Sequence, residues 1–263
     1  MTPKNASVVN AFQILRLIGA RGPELSLADM ARTLDLSPAA VHRLVATLQE
    51  VGAVVRPRRN AYRLSPGLAD LAEAVDTTAV LTALARAPVR RLVQTLGEVV
   101  HLGTFDGEMV TYLVKGSPRK KTIVPTREGT QLEAYSSGVG KALLAHLPEP
   151  ELDAYLSSAP FIPLTEHTIT EPGAIRAELA KARRDGYAMD NEEVVPGLTC
   201  LAVPILAPSG RAIASLSVSA PTEVFTPEFR RTALENLQGE VRTLESRLFG
   251  RMGAGDPGHH RPA

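Results

Sequence analysis

Only one cysteine, Cys200, occurs in the 263 residues, so no internal disulfide can form, and no Cys or His spacing matches a zinc site. Also missing is an apolar run able to cross a bilayer: the longest uncharged stretch, Val194 to Gly210, is broken by Pro196, Pro204 and Pro208. No signal-peptide pattern opens the chain, because Lys4 is followed by an amphipathic stretch rather than a continuous apolar one. These absences predict a cytoplasmic protein with no membrane partner, no metal and no other cofactor.

Catalytic signatures are missing too. Gly138-Val139-Gly140-Lys141 resembles part of a phosphate loop, but that loop needs Gly where this chain has Tyr135 and Ser or Thr where it has Ala142. There is no G-x-S-x-G elbow and no H-E-x-x-H. Cys200 heads an apolar strand and reads as a packing residue, His101 as a hydrogen-bonded core or rim residue, and Asp190-Asn191-Glu192-Glu193 as a solvated loop. No catalytic residue is expected, and the chain does not read as an enzyme.

What is present is a soluble globular composition, 44% hydrophobic and 22% charged, with room for two domains. The net charge of +1 divides unevenly: residues 1 to 75 hold nine Lys/Arg against six Asp/Glu, and the rest hold twenty against twenty-two. The basic excess falls on the N-terminal part.

That part carries the most informative pattern. Val8, Phe12, Leu15 and Ile18 recur at helical spacing after a loose arm over residues 1 to 6. Ser26 can cap a helix from Leu27 to Leu34, and Ser37 with Pro38 opens another in which Val41, Leu44, Val45 and Leu48 share a face. Asp35 stands in the turn between them, where Asp tolerates the left-handed conformation. Small Ala31 at the crossing and branched core residues complete a helix-turn-helix. Two short apolar segments around Arg56-Pro57-Arg58-Arg59-Asn60 read as a hairpin, hence a wing with three arginines at its tip. On this reading Arg43, His42 and Thr47 reach base edges in the major groove, Ser26 and Ser37 touch phosphate, and Arg56, Arg58 and Arg59 hold the wing on backbone or minor groove. The partner would be double-stranded DNA.

Helical patterns from Ser65 to Val75 and from Ala79 to Leu96, the second with Pro88 as an expected kink, predict a linker over residues 65 to 96. Beyond Gly97 the period becomes strand-like. Val99 to Phe105 and Met109 to Val114 flank an Asp106-Gly107 turn and are followed by a basic loop, Lys115 to Lys121. Ser136 to Ala145 reads as a turn into a helix, Glu171 to Asp185 as a helix closed by Gly186, and Cys200 to Leu206 and Ala212 to Ser219 as strands. A final helix spans Thr226-Pro227 to Phe249. The expected architecture is an all-α winged helix-turn-helix over 1–64, the linker, an α+β domain with an antiparallel sheet over 97–249, and a disordered Gly/Pro/His tail over 250–263.

Several blocks of this second half carry a family likeness. Gly186 to Glu193 with Gly197 to Ile205, Ser137 to Ala145 and Ser215 to Pro221 resemble, in order, the signature blocks of IclR-type transcriptional regulators. The likeness covers about residues 6 to 249. Leu206-Ala207 departs from it, where the family more often has an aromatic or His followed by Asp or Asn. The resemblance implies a GAF-like effector domain, homodimers or homotetramers on palindromic operators, and repression or activation in response to small metabolites, often carboxylates or aromatic acids. It implies an effector pocket of Gly138, Val139, Asp190, Cys200, Ser217 and Ser219, with Val124 and Leu132 on its apolar side.

Alternation puts Ser217 and Ser219 on one side of their strand, away from Leu216 and Val218. Two hydroxyls beside an acceptor carboxylate favour a monoanionic or neutral ligand with a donor of its own over a dianion. Two other readings stay open: a metabolite-binding enzyme with an appended DNA-binding domain, and an architectural DNA-binding protein whose C-terminal half serves assembly.

Overall fold

The computed structural model describes residues 3–22, 25–119, 124–158 and 160–250. Residues 1 and 2 of the expected arm, Lys120 and Lys121 of the basic loop, and the tail expected after Gly250 lie outside them. The chain divides into two compact units, Met1–Thr77 and Thr78–Ala263.

The first unit comprises α1 (Ala6–Arg21), α2 (Leu27–Leu34), α3 (Pro38–Glu50), β1 (Val54–Arg58), β2 (Ala61–Leu64) and α4 (Gly67–Glu73). Its helices start where their caps dictate: Ser26 and Asp29 form a reciprocal capping box, and Ser37 Oγ accepts the Ala40 N–H at 3.2 Å. Asp35 takes the left-handed turn between α2 and α3 at φ 52°. Met30, Ala31, Val41, Val45 and Leu48 are buried with Ile14 and Ile18 of α1. Val8 and Phe12, expected on the buried face of the first helix, are instead 54% and 59% exposed, because α1 turns Ile14 and Ile18 inward.

The hairpin differs from expectation at its tip. Arg56 and Arg58 belong to β1, and only Arg59 and Asn60 form the turn, with Asn60 left-handed at φ 56°. The register slips between Val55 and Arg58, where Pro57 has no N–H to give the ladder.

The division falls after the first residue of α5 (Thr77–Leu96), which runs through the buried Pro88, so α4 and nearly all of α5, expected as one linker, belong to different units. There follow β3 (Val99–Phe105), β4 (Met109–Gly116), β5 (Gln131–Glu133), α6 (Gly138–Leu144), α7 (Glu149–Leu156), α8 (Pro172–Asp185), β6 (Ala188–Asn191), β7 (Leu198–Leu206), β8 (Ala212–Pro221) and α9 (Pro227–Phe249). The strands form one antiparallel sheet in the order β5-β4-β3-β8-β7-β6.

Alternation along the strands builds a core on each face. Leu102, Leu201, Leu216 and Val218 pack with α5 and α9, whereas Tyr112, Ala188 and Ala202 pack with α6, α7 and α8. Each fully buried leucine contributes about 1.5–3 kcal/mol. A bulge at Leu113, between the pairs Leu102↔Val114 and Gly103↔Tyr112, lets Tyr112 face α6 while Val114 faces α5 and α9. Among the described residues no helix is long and apolar enough to cross a membrane, and no group of His, Cys, Asp and Glu could hold a metal ion.

Candidate functional site

Strand register assembles a polar cluster on the α6 face of the sheet. Ser219 lies opposite Cys200, which lies opposite Asp190, and one row along Ser217 lies opposite His101. Four strands thus contribute neighbouring side chains at positions separated by two residues, the spacing that keeps them on one face. Helix α6 covers them. Ser137 caps it by accepting the Gly140 N–H at 3.1 Å, and the missing side chain at Gly138 allows close approach: a Cβ there would stand 3.2 Å from the Cys200 sulfur. Gly140 is tighter still, since a Cβ would fall 2.1 Å from the Ala134 carbonyl oxygen.

Burial sets the chemistry of these groups. Asp190 is pushed up to about 7, chiefly by desolvation and further by the Glu193 charge, against the Glu193 N–H that it accepts at 2.7 Å. The Cys200 thiol is pushed up to about 12 by burial and by the Asp190 charge, so it is protonated at neutral pH. His101 is held down at about 3 by burial and by the Lys115 charge, so its ring is neutral.

Among the described residues four buried side-chain atoms lack a hydrogen-bond partner, His101 Nδ1, His146 Nε2, Glu193 Oε2 and Ser217 Oγ, and the first and last of these belong to cross-strand partners. An unsatisfied buried polar group costs about 1–3 kcal/mol, so the pair marks where a ligand's polar atoms would be rewarded.

All six central residues of the expected pocket, Gly138, Val139, Asp190, Cys200, Ser217 and Ser219, are therefore buried at the α6–sheet junction. Leu132 pairs with Val110 across β4 and β5 and packs against the same core as Val139 and Tyr112. The Val124 carbonyl, like that of Thr126, accepts the Lys115 ammonium, and Thr126 Oγ1 lies 2.8 Å from His101 Nε2.

The structure adds residues that sequence reasoning passed over. His101, read as core or rim, faces the cluster and stacks on Tyr112 at 4.3 Å. Lys141, considered only as a failed phosphate ligand, is buried and donates to Glu193 and to the Met189 carbonyl. The stretch expected as a solvated loop is so only in part: Asp190 and Asn191 lie in β6, and Asp190 and Glu193 are buried, whereas Asn191 is exposed. The orphaned hydrogen-bonding atoms depend on strand register, which no local motif records.

In the first unit, His42, Arg43 and Thr47 are exposed on α3 at the spacing of one helix face, and Thr47 Oγ1 donates to the Arg43 carbonyl at 3.0 Å. Arg56, Arg58 and Arg59 are exposed on the hairpin, with the Arg56 guanidinium 5.6 Å from the Tyr62 ring centre. Ser37 is exposed at the start of α3. The Ser26 hydroxyl is committed locally: it donates to Asp29 Oδ2 at 2.6 Å and accepts the Asp29 N–H at 3.1 Å.

Known proteins share both units. Residues 7–58 match the family description "IclR helix-turn-helix domain", and residues 72–245 match "Bacterial transcriptional regulator IclR C-terminal". The HTH-type transcriptional regulator BhcR of Paracoccus denitrificans is 36% identical over 213 residues, covering 81% of this chain and 76% of that protein. A crystal structure of an IclR-type transcriptional regulator from Silicibacter sp. superposes with a TM-score of 0.73 at 31% identity, covering 96% of this chain and 98% of that one. An IclR homologue from Microbacterium hydrocarbonoxydans, solved in complex with 4-hydroxybenzoate, superposes with a TM-score of 0.61 at 25% identity, covering 92% and 99%.

Proposed function

The chain belongs to the IclR family of bacterial transcriptional regulators, and from that premise we propose that its second unit senses a hydroxylated organic monoacid and thereby alters DNA binding by its first. The observation that carries this reading is the pair His101 Nδ1 and Ser217 Oγ, buried without partners in a cluster that also holds Asp190, Cys200 and Ser219. A ligand carboxylate would accept from Ser217 and from His101 in the tautomer protonated at Nδ1. A ligand hydroxyl would donate to Asp190 or accept from it, since that carboxyl sits near its midpoint at neutral pH.

Charge limits the ligand. Lys141 is paired with Glu193, and the Lys115 charge acts on His101, so a second ligand carboxylate placed beside Asp190 would meet like charge. The 4-hydroxybenzoate bound by the Microbacterium homologue has the favoured composition of one carboxylate and one hydroxyl.

Binding without turnover is part of the proposal. The Cys200 sulfur is a thiol rather than a nucleophilic thiolate, and His101 is too weak a base to activate it. On DNA, we assign base reading to His42, Arg43 and Thr47, and backbone or minor-groove contact to Ser37, Arg56, Arg58 and Arg59. Ser26 joins the phosphate contacts only by surrendering its bond to Asp29. Exposed Val8 and Phe12 on α1, with Leu71 on α4 and Val75 just beyond its end, offer apolar surface suited to a second copy, in keeping with a homodimer or homotetramer on a palindromic operator in the cytoplasm.

The test is calorimetry and thermal shift of the full chain with 4-hydroxybenzoate, benzoate, benzamide and terephthalate, followed by operator binding with and without the best ligand. Expected is a saturable rise in melting temperature, larger for the hydroxylated monoacid than for terephthalate and abolished by Ser217→Ala. Tighter binding of the dianion would overturn the ligand class. Consumption of the ligand would favour the enzyme reading, and DNA affinity indifferent to every ligand the architectural one.

A further inference from the structure

A concave site in the Thr78–Ala263 unit shares no residue with the cluster under α6. It is a cleft of about 600 Å³ lined by Phe105 at the end of β3, Met109 at the start of β4, Glu133 on β5, Tyr155 on α7 and Phe161 just after α7, with Glu108 at its rim. Its walls are aromatic and acidic. The Tyr155 ring meets Phe105 edge-on with centres 5.8 Å apart and stacks on Phe161 at 5.8 Å, and Phe161 in turn lies 4.7 Å from Tyr135.

Both phenol oxygens are hydrogen-bonded: Tyr155 accepts the Tyr135 N–H at 3.1 Å, and Tyr135 donates to the Ile162 carbonyl at 2.6 Å. Besides the Tyr155 O–H, these residues offer a ligand ring surface, whose quadrupole is negative over the face.

The charges of the lining have one sign. Among the described residues no Lys or Arg lines the cleft. Of its carboxylates, Glu151 is neutralised by a two-pronged bond from Arg211, both contacts at 2.8 Å, whereas Glu108 and Glu133 have no ion-pair partner among the described residues. Glu133 lines the same cleft as Tyr135 and Tyr155, and its negative charge adds to the upward push that burial gives their phenols. Rings that favour positive charge and a half-buried carboxylate without a counter-ion ask for the same occupant.

We propose that this cleft is a ligand site for an organic cation, an ammonium or quaternary ammonium group on an apolar body, independent of the acid-binding reading. An anion is disfavoured by Glu108 and Glu133. A neutral apolar molecule would leave Glu133 uncompensated, and a bare metal ion would find too few oxygen ligands. The segment after Glu133 runs through Tyr135 to the Ser137 cap of α6, so the cleft and the acid site border one short stretch of chain.

The test uses the full chain and benzyltrimethylammonium as probe, with phenylacetate as an anion of similar size, followed by calorimetry. Expected is saturable binding at one site per chain, undetectable for phenylacetate at this site, and weakened about tenfold by Glu133→Gln and again by Phe161→Leu. Circular dichroism and melting temperature verify that each variant is folded, and Ser217→Ala should leave cation binding unchanged. Failure to bind the cation at low ionic strength overturns the proposal, as does binding that Glu133→Gln does not weaken. A change of oligomeric state in Phe161→Leu without an effect on cation binding overturns it too, because the face would then be a contact between copies. Failure of 4-hydroxybenzoate to bind would count against the acid site alone.

Discussion

Lys141 of α6 and Glu193, 52 positions later, form an ion pair in which the two side chains are 2% and 3% exposed. The pair ties the helix over the acid site to the chain just beyond β6, and Lys141 also holds the Met189 carbonyl at 3.0 Å. Removing one partner strands the other as a buried charge. Lys141→Met should therefore cost about 3–5 kcal/mol, while Lys141→Met with Glu193→Leu should recover most of that loss. Urea unfolding of the two variants decides; equal destabilisation would show that hydrogen bonds matter here more than charge.

Two groups of the buried polar cluster give stability opposing pH dependences. His101 falls from 6.5 to about 3 on folding, so the native state binds fewer protons and His101 costs stability as pH drops below 6.5. Asp190 rises from 3.8 to about 7, so the native state holds a proton the unfolded chain gives up, and stability is gained as pH drops below 7. Each slope is about 1.4 kcal/mol per pH unit where both apply. Between pH 6 and 4, His101→Gln should gain stability on acidification relative to wild type and Asp190→Asn should lose it, as read by chemical denaturation across the range. Parallel slopes in the two variants would contradict the assignment.

Two glycines in helices should respond oppositely to alanine. At Gly140 the new Cβ would lie 2.1 Å from the Ala134 carbonyl oxygen, and only backbone movement relieves that clash. Gly140→Ala should cost about 3 kcal/mol or more. At Gly173, near the start of α8, nothing lies within 4 Å of the added carbon, and Gly173→Ala should add about 0.5 kcal/mol. Paired thermal melts read both.

Base reading and charge separate on the first unit. Arg43→Ala on α3 should narrow the gap between operator and random DNA by about 1–3 kcal/mol, whereas Arg58→Ala on β1 should weaken both similarly and flatten the salt dependence. Binding measured on both DNAs at two salt concentrations distinguishes them. Equal loss on both for Arg43→Ala would move that residue to the phosphate backbone.

Local pattern reveals most of this fold because most of its elements announce themselves. Ser26, Ser37 and Thr226 cap where capping residues stand before apolar periodicity, and the Asp106-Gly107 turn joins β3 and β4. The elements without such signals are short or irregular: β5 has three residues at a sheet edge, and α7 buries only Leu152 and Leu156. On α1, apolar periodicity alone could not tell the core face of Ile14 and Ile18 from the exposed stripe of Val8 and Phe12, since both are apolar. Asp190, Cys200, Ser217 and Ser219 of the buried polar cluster stand within the family blocks, and alternation alone puts Ser217 and Ser219 on one face of their strand. His101 and the Lys141–Glu193 pair were not legible, because their partners come from strand register and from positions far along the chain.

His101 and Ser217 are both wholly shielded from solvent, at 0% exposure, and Asp190 and Cys200 are nearly so at 5%. A molecule arriving from outside cannot collide with them directly. If the opening of α6 over the sheet precedes capture, the observed association rate will level off at high ligand concentration instead of climbing linearly, and the plateau will equal the opening rate. Such a sensor has a built-in response time, set by how often the shell parts and indifferent to how much signal waits outside.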